Sequence, residues 1–324
     1  MRSTSFAVLG PLIVFVAAML WASDAPFRLH LTLALSSNFI VFGEHFFDCL
    51  VALPILFFNW NDITKLSWRE WLAVGFIAIG GSALASILFT ESFHYVNPSV
   101  AIVLQKVQPL IAIALAWAVL GEKLHPRFWL WGSIALVGAY LVSFPNLVPQ
   151  TYAGETFNPN LLGALYALSA AALWGASTVF GKYVLQKAAF QTMTGLRFVV
   201  AFVFLGVLNG VQGTFPDFAT LTSTDYFFIA IIALCSGVFS LYLYYFGLKY
   251  TRASIATIAE LGFPLAAVFV NAYFIPGNWA PGSTLGLYAG QWAGTLILLL
   301  SMFMLSRVNR EESSLAEGRS LQTI

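Results

Sequence analysis

Between Val103 and Leu124 the chain reads VLQKVQPLIAIALAWAVLGEKL, an apolar run of membrane length that carries Gln105, Lys106 and Gln108 ahead of Pro109. An unpaired amide or ammonium is costly in hydrocarbon, so such groups face a protein interior or a watery cavity and mark candidate sites. The stretch from Ile255 to Gly277 repeats the arrangement, with Pro264 matching Pro109 and Glu260 matching Gln105. Gln108 shares a helix face with Gln105, whereas Lys106 lies about 100° around the helix and flanks the same cavity or turns to a neighbour. Glu260 suits an ammonium, Lys106 a carboxylate, and the two glutamines orient what lies between them. The competing reading is an ion pair of Lys106 with Glu260, Glu44 or Glu91 that only neutralises buried charge.

Further polar groups stand inside other apolar runs. Glu44, His45 and Asp48 share one segment, and a carboxylate beside an imidazole can relay protons; a lateral opening or a pairing with Lys106 is the alternative. Glu91, His94 and Tyr95 end the next segment, as gate or interface residues, with substrate contact as the alternative. Trp21 and Trp174 occupy matching places in the two halves and read as cavity walls or as interface anchors. Ser236, Ser240 and Tyr244 recur at four-residue spacing, a polar stripe for substrate contact or for helix-to-helix bonding. Arg197 is expected to snorkel to lipid phosphate.

These residues need helices to hold them. Of the 324 residues, 59% are hydrophobic and 9% charged, against about 25% charged in soluble domains, which makes the chain a polytopic membrane protein. At about 20 residues per crossing, spans are expected near 6–28, 36–58, 70–94, 98–121 and 127–145, then, after a polar loop at 146–160, near 161–186, 190–210, 224–249, 253–275 and 283–306. The halves correspond: Trp21 with Trp174, Gly43 with Gly195, Tyr95 with Tyr250, Ser99 with Ser254, Pro109 with Pro264, Gly138 with Gly294. Five crossings per half force the second copy in from the opposite side, so an all-α membrane protein of ten transmembrane helices in two inverted five-helix repeats, 6–145 and 161–306, is expected. Residues 307–324 are polar and are expected to be a disordered cytoplasmic tail. Gly286, Gly290 and Gly294 form a smooth stripe for close helix packing.

Charge placement fits that topology. With the N-terminus cytoplasmic, the inner segments collect twelve Lys and Arg residues and the outer ones only Arg28, Lys106 and Arg197 being left out as lying within helices. This bias predicts cytoplasmic termini. Cys49 and Cys235 sit in apolar runs, and the four histidines His30, His45, His94 and His125 are scattered with no metal-ligand spacing. An enzyme, a metal site, a cofactor and a nucleic-acid partner are therefore not expected.

The doubled five-helix unit, the L-W motif at Leu20-Trp21 and Leu173-Trp174, and the run Q-x-x-x-P-L-x-x-x-L-A-x-x-x-L-G-E-K-L from Gln105 to Leu124 resemble the EamA-type branch of the drug/metabolite transporter superfamily. The second copy departs from the pattern, with Pro276-Gly277-Asn278 where the first has Gly121-Glu122-Lys123. The resemblance covers roughly residues 6–306 and implies a secondary transporter of a bacterial inner membrane, working by alternating access around a central cavity. Export of small zwitterionic metabolites such as amino acids, aromatic ones included, is the implied activity, with cationic or quaternary-amine compounds as the alternative. The implied partners are a small-molecule substrate and the bilayer; a monomer is expected, with a homodimer as the alternative.

Overall fold

The computed structural model describes residues 2–32, 34–92, 95, 104–105, 107–143, 161–274 and 289–321. Among them no strand occurs. Lipid offers the backbone no hydrogen-bond partner, so apolar runs of this length satisfy their own N–H and C=O groups as helices. The helices are α1 (Arg2–Trp21), α2 (Ala25–Leu31), α3 (Ser37–Phe58), α4 (Trp68–Ser92), α5 (Gln108–Leu120), α6 (Pro126–Ser143), α7 (Leu161–Val184), α8 (Phe190–Gln212), α9 (Ser223–Lys249), α10 (Ala253–Ala259), α11 (Gly262–Phe274) and α12 (Ala289–Leu321). Seven stretches of the described residues are long and apolar enough to cross a membrane, and Gln108–Leu120 and Ala253–Ala267 are shorter apolar helices.

Local chemistry sets many ends. The Ser36 hydroxyl accepts from Phe39 N–H at the start of α3, and Ser67 with Glu70 and Thr222 with Asp225 form capping boxes on α4 and α9. Gly121 and Gly213 close α5 and α8 at φ 65° and 64°, a conformation that a Cβ disfavours.

Breaks within the apolar runs matter more for function. The expected span 6–28 is interrupted at Ala22–Asp24 by a 3₁₀ turn, after which Pro26 helps start α2. Pro264 lacks the N–H that would bond the Glu260 carbonyl one turn back. That carbonyl instead accepts from Phe263 N–H at 3.0 Å, and the helix parts into α10 and α11 at Glu260–Leu261. Pro109 stands likewise in the first turn of α5. α4 and α9 each carry a π-helical stretch, Phe76–Leu84 and Ala233–Phe239.

The packing is reciprocal. α6 lies along α12, α3 along α8, α1 against the second part of α9, and α7 against α4 and α5. Gly138 lets α6 approach the backbone of α12 so closely that a Cβ there would stand 3.0 Å from the Gly294 carbonyl, and a Cβ on Gly262 would collide with the Phe15 carbonyl of α1. Between α1, α2, α3, α4, α5, α7, α8, α9 and α11 the helices leave a cavity of about 260 Å³.

At the end away from Asp24 and Arg28 the bundle is latched. Glu122, just past α5, accepts from Ala253 N–H at 2.8 Å and from Ser254 N–H and Oγ at 3.1 and 2.6 Å, which satisfies the first turn of α10. Lys182 donates to the Leu248 and Lys249 carbonyls, both at 2.8 Å, tying α7 to the end of α9.

Helix α12 continues to Leu321, where an unstructured tail is expected from 307. Extending an existing helix costs no new nucleus, eight of residues 307–321 are Arg, Glu or Leu, which favour helix, and Glu311 pairs with Arg127 at 2.9 Å. Gly286 and the Pro276-Gly277-Asn278 departure lie outside the described residues.

Glu122→Ala removes the acceptor for two backbone donors and a hydroxyl. A loss of about 1–3 kcal/mol is expected, read as a lower melting temperature of the purified protein in detergent, with Glu122→Gln recovering part of it.

Candidate functional site

Glu260 sits where α10 ends, and the break presents its carboxyl to the cavity. Its Oε1 accepts from Tyr244 Oη of α9 at 2.8 Å and from Thr178 Oγ1 of α7 at 3.0 Å, and its Oε2 accepts from Gln108 Nε2 of α5. Three donors from three helices thus hold one buried carboxyl. Gln105 reaches the same cavity with a buried Oε1 that makes no protein hydrogen bond.

Trp21 and Trp174 both line the cavity, Trp21 packed on the Tyr244 ring at 5.3 Å and Trp174 on Phe89 at 5.2 Å. Among the expected site residues, Gln105, Gln108, Glu260, Trp21, Trp174, Tyr244, Glu44, His45 and Asp48 are brought together around this one space. Lys106 and His94 lie outside the described residues.

Ser240 does not reach the cavity lining. It is fully buried outside that lining, although it stands one regular α-helical turn before Tyr244, which does line the cavity. Ser236 does line the cavity, but its hydroxyl bonds the Ile232 carbonyl of its own helix at 2.9 Å. Glu91 and Tyr95 are also absent from the lining; the half-exposed Tyr95 packs edge-on against Tyr166 at 5.8 Å.

Two arginines correct the expectations. Arg197 does not snorkel: it is 8% exposed and lines the cavity. Its Nε donates to Ser82 Oγ, Nη1 to Tyr245 Oη at 2.9 Å, and Nη2 to the Gly81 carbonyl at 3.3 Å. No carboxylate of the described residues lies within 4.0 Å of it. Seven residues into α8 it is about 10 Å from the helix start, within reach of the lipid surface, and only the helix's facing decides otherwise. The sequence repeat held a signal: the offset that pairs Gly43 with Gly195 pairs His45, another cavity residue, with Arg197.

Arg28, expected in an outer loop, turns inward from α2. It bonds Asp24 and Glu44, each at 2.8 Å. Glu44 therefore finds its cation on α2, and its carboxyl is neutralised there. Across the described residues no cluster of His, Cys, Asp and Glu is arranged to hold a metal ion.

The EamA-like transporter family model matches residues 8–144 and matches again at 161–307. The chain belongs to this family. It is thus a multi-pass membrane transporter and not an enzyme, as the motifs between Gln105 and Leu124 implied. Over 305 residues it is 33% identical to the riboflavin transporter ImpX of Fusobacterium nucleatum, covering 93% of this chain and 98% of that one. It is 22% identical over 327 residues to the uncharacterized inner membrane transporter YicL of Salmonella typhimurium, covering 95% and 98%. A solved crystal structure aligns with a TM-score of 0.71 at 14% identity, covering 93% of this chain and 98% of its own, and shares the fold.

In this EamA-family chain, Glu260→Gln keeps the shape and the hydrogen-bonding reach of the side chain but removes its charge. Solute flux is expected to fall by about tenfold or more, equivalent to about 1.4 kcal/mol, while the amount of folded protein in the membrane is unchanged; flux in proteoliposomes beside detergent gel filtration checks both. Arg197→Ala strands Ser82 Oγ and Tyr245 Oη and is expected to lower stability by about 1.5–3 kcal/mol, measured by thermal unfolding.

Proposed function

We propose that the protein is a secondary transporter of a bacterial inner membrane that moves a flat, hydrogen-bonding heteroaromatic solute of the flavin class by alternating access. Its scaffold on this reading is ten transmembrane helices in two inverted five-helix repeats with both termini cytoplasmic. The two separate family matches support the repeat. So do the paired breaks before Pro109 and Pro264, the paired π-helical stretches of α4 and α9, and the reciprocal packing of α3 on α8 and α6 on α12. The twelve-to-one placement of Lys and Arg supports the orientation.

The observation that carries the solute reading is the pairing of two indoles, Trp21 and Trp174, with an amide and carboxyl edge made of Gln105, Gln108 and Glu260 in one cavity. Aromatic faces take a planar ring, and a flavin ring presents carbonyl acceptors beside an imide N–H donor that such an edge can match. ImpX, named a riboflavin transporter, is similar over nearly the whole chain.

One observation favours a second reading, export of aromatic amino acids. Arg197 and Glu260 line the same cavity, and among the described residues neither has an oppositely charged group within 4.0 Å, an arrangement suited to a carboxylate and an ammonium. Counterflow of labelled riboflavin in proteoliposomes, with tryptophan and phenylalanine as competitors, separates the two. Saturable riboflavin exchange indifferent to amino acids is expected, and exchange of tryptophan in place of riboflavin would give the site to the zwitterion. Trp21→Ala and Trp174→Ala are each expected to weaken riboflavin affinity by roughly two- to tenfold, as the loss of about 0.5–1.5 kcal/mol of ring contact requires.

A further inference from the structure

We infer that Asp48 and His45 of α3 form a proton-carrying site, distinct from the Glu260 set, through which transport is driven. The site rests on the transport activity of the family and on no particular solute. Asp48 is 2% exposed and His45 6% exposed, and both line the cavity. His45 Nδ1 lies 2.8 Å from the Val41 carbonyl, so this nitrogen carries the hydrogen and donates it. Nε2 is then a bare acceptor, and it is buried with no partner in the protein. Asp48 Oδ1 is likewise buried and unpartnered. Two buried acceptors three residues apart on one helix, neither holding a hydrogen bond within the protein, are groups that a transferable proton can occupy.

The groups around them fit this role. On α3 itself Glu44 is already bound to Arg28 of α2, which also holds Asp24, and the Cys49 thiol follows Asp48. α8 contributes Arg197, committed to Ser82, Tyr245 and the Gly81 carbonyl. α9 contributes the Tyr242 hydroxyl, buried without a partner, and α10 places Glu260 across the cavity. Among the described lining residues four carboxyls, Asp24, Glu44, Asp48 and Glu260, stand against the two guanidiniums of Arg28 and Arg197. An excess of acid in low dielectric favours uptake of a positive charge from water.

The step itself is simple. A hydronium, or the imidazolium of His45, gives up a proton, one O–H bond forms on Asp48, and the carboxylate charge is neutralised. Protonated Asp48 can donate a hydrogen bond, whereas the anion can only accept. Its nearest neighbour makes that difference count: a Cβ on Gly237, inside the π-helical stretch of α9, would collide with Asp48 Oδ1, so the carboxyl rests against the backbone of that stretch. Protonation thereby changes the contact between α3 and α9, two helices that line the cavity.

The test has two arms. pH-difference infrared spectra of the intact protein in lipid bilayers should show a carboxyl C=O band, formed on acidification, that Asp48→Asn removes, that Asp48→Glu retains at a shifted position and that Glu260→Gln leaves in place. Unchanged bands in Asp48→Asn would overturn the site. If Asp48→Asn fails gel filtration, the unshifted band of Asp48→Glu does the same. In the second arm a pH gradient across proteoliposomes should drive riboflavin uphill, with about tenfold less accumulation in Asp48→Asn and His45→Gln. Riboflavin exchange without any response to the gradient in the intact protein would overturn the coupling. Absence of exchange altogether would instead remove the flavin reading, and the infrared arm would still decide the proton site.

Discussion

A carboxyl in the middle of an apolar bundle must find donors inside the protein, and the rest of this architecture follows from how Glu260 finds them. Tyr244, Thr178 and Gln108 reach it from three helices. Each of those helices is thereby fixed in rotation as well as position, since a side chain aimed elsewhere would strand a polar atom where no water competes to satisfy it. The aromatic wall is set by the same contacts, because Tyr244 carries Trp21 on its ring and Thr178 stands one turn from Trp174.

The carboxyl reaches its donors because the helix is broken beside it. Pro264 frees the Glu260 carbonyl, the chain turns at Glu260–Leu261, and the side chain projects from the gap. Irregular backbone at membrane depth is tolerated where it lines a cavity. The same rule accounts for the π-helical stretches of α4 and α9, which bring Ser82 to Arg197 and Gly237 to Asp48. The other end is held by bonds to backbone. Glu122 and Lys182 spend their charge on backbone groups of α10 and α9, and the bundle closes around those bonds.

Much of this was legible in residue order. The apolar runs, the polar groups at Gln108 and Glu260 and the matched tryptophans all marked their places. What failed were statements about direction. Arg197 was placed at the lipid, yet it turns inward, as the Arg28 side chain does at the end of the first span; Ser240 was put on the cavity with Tyr244, and it is buried outside the lining. Gln105 was the residue matched to Glu260 by the repeat, yet the hydrogen bond comes from Gln108, one turn further along.

The sequence by itself determined that this is a helical membrane protein of the EamA type and where along each helix its buried polar groups stand. Backbone hydrogen bonding in lipid leaves no other structure for runs of that length, and a polar residue within one is conspicuous. Only the tertiary structure decided which way each helix turns, and so which partner each polar group meets. In a soluble helix the apolar stripe announces the inner face. Here lipid and core are equally apolar, the stripe disappears, and rotation is settled by close packing at glycines such as Gly138 and Gly262 and by the bonds that Glu260, Arg197 and Arg28 make across the cavity.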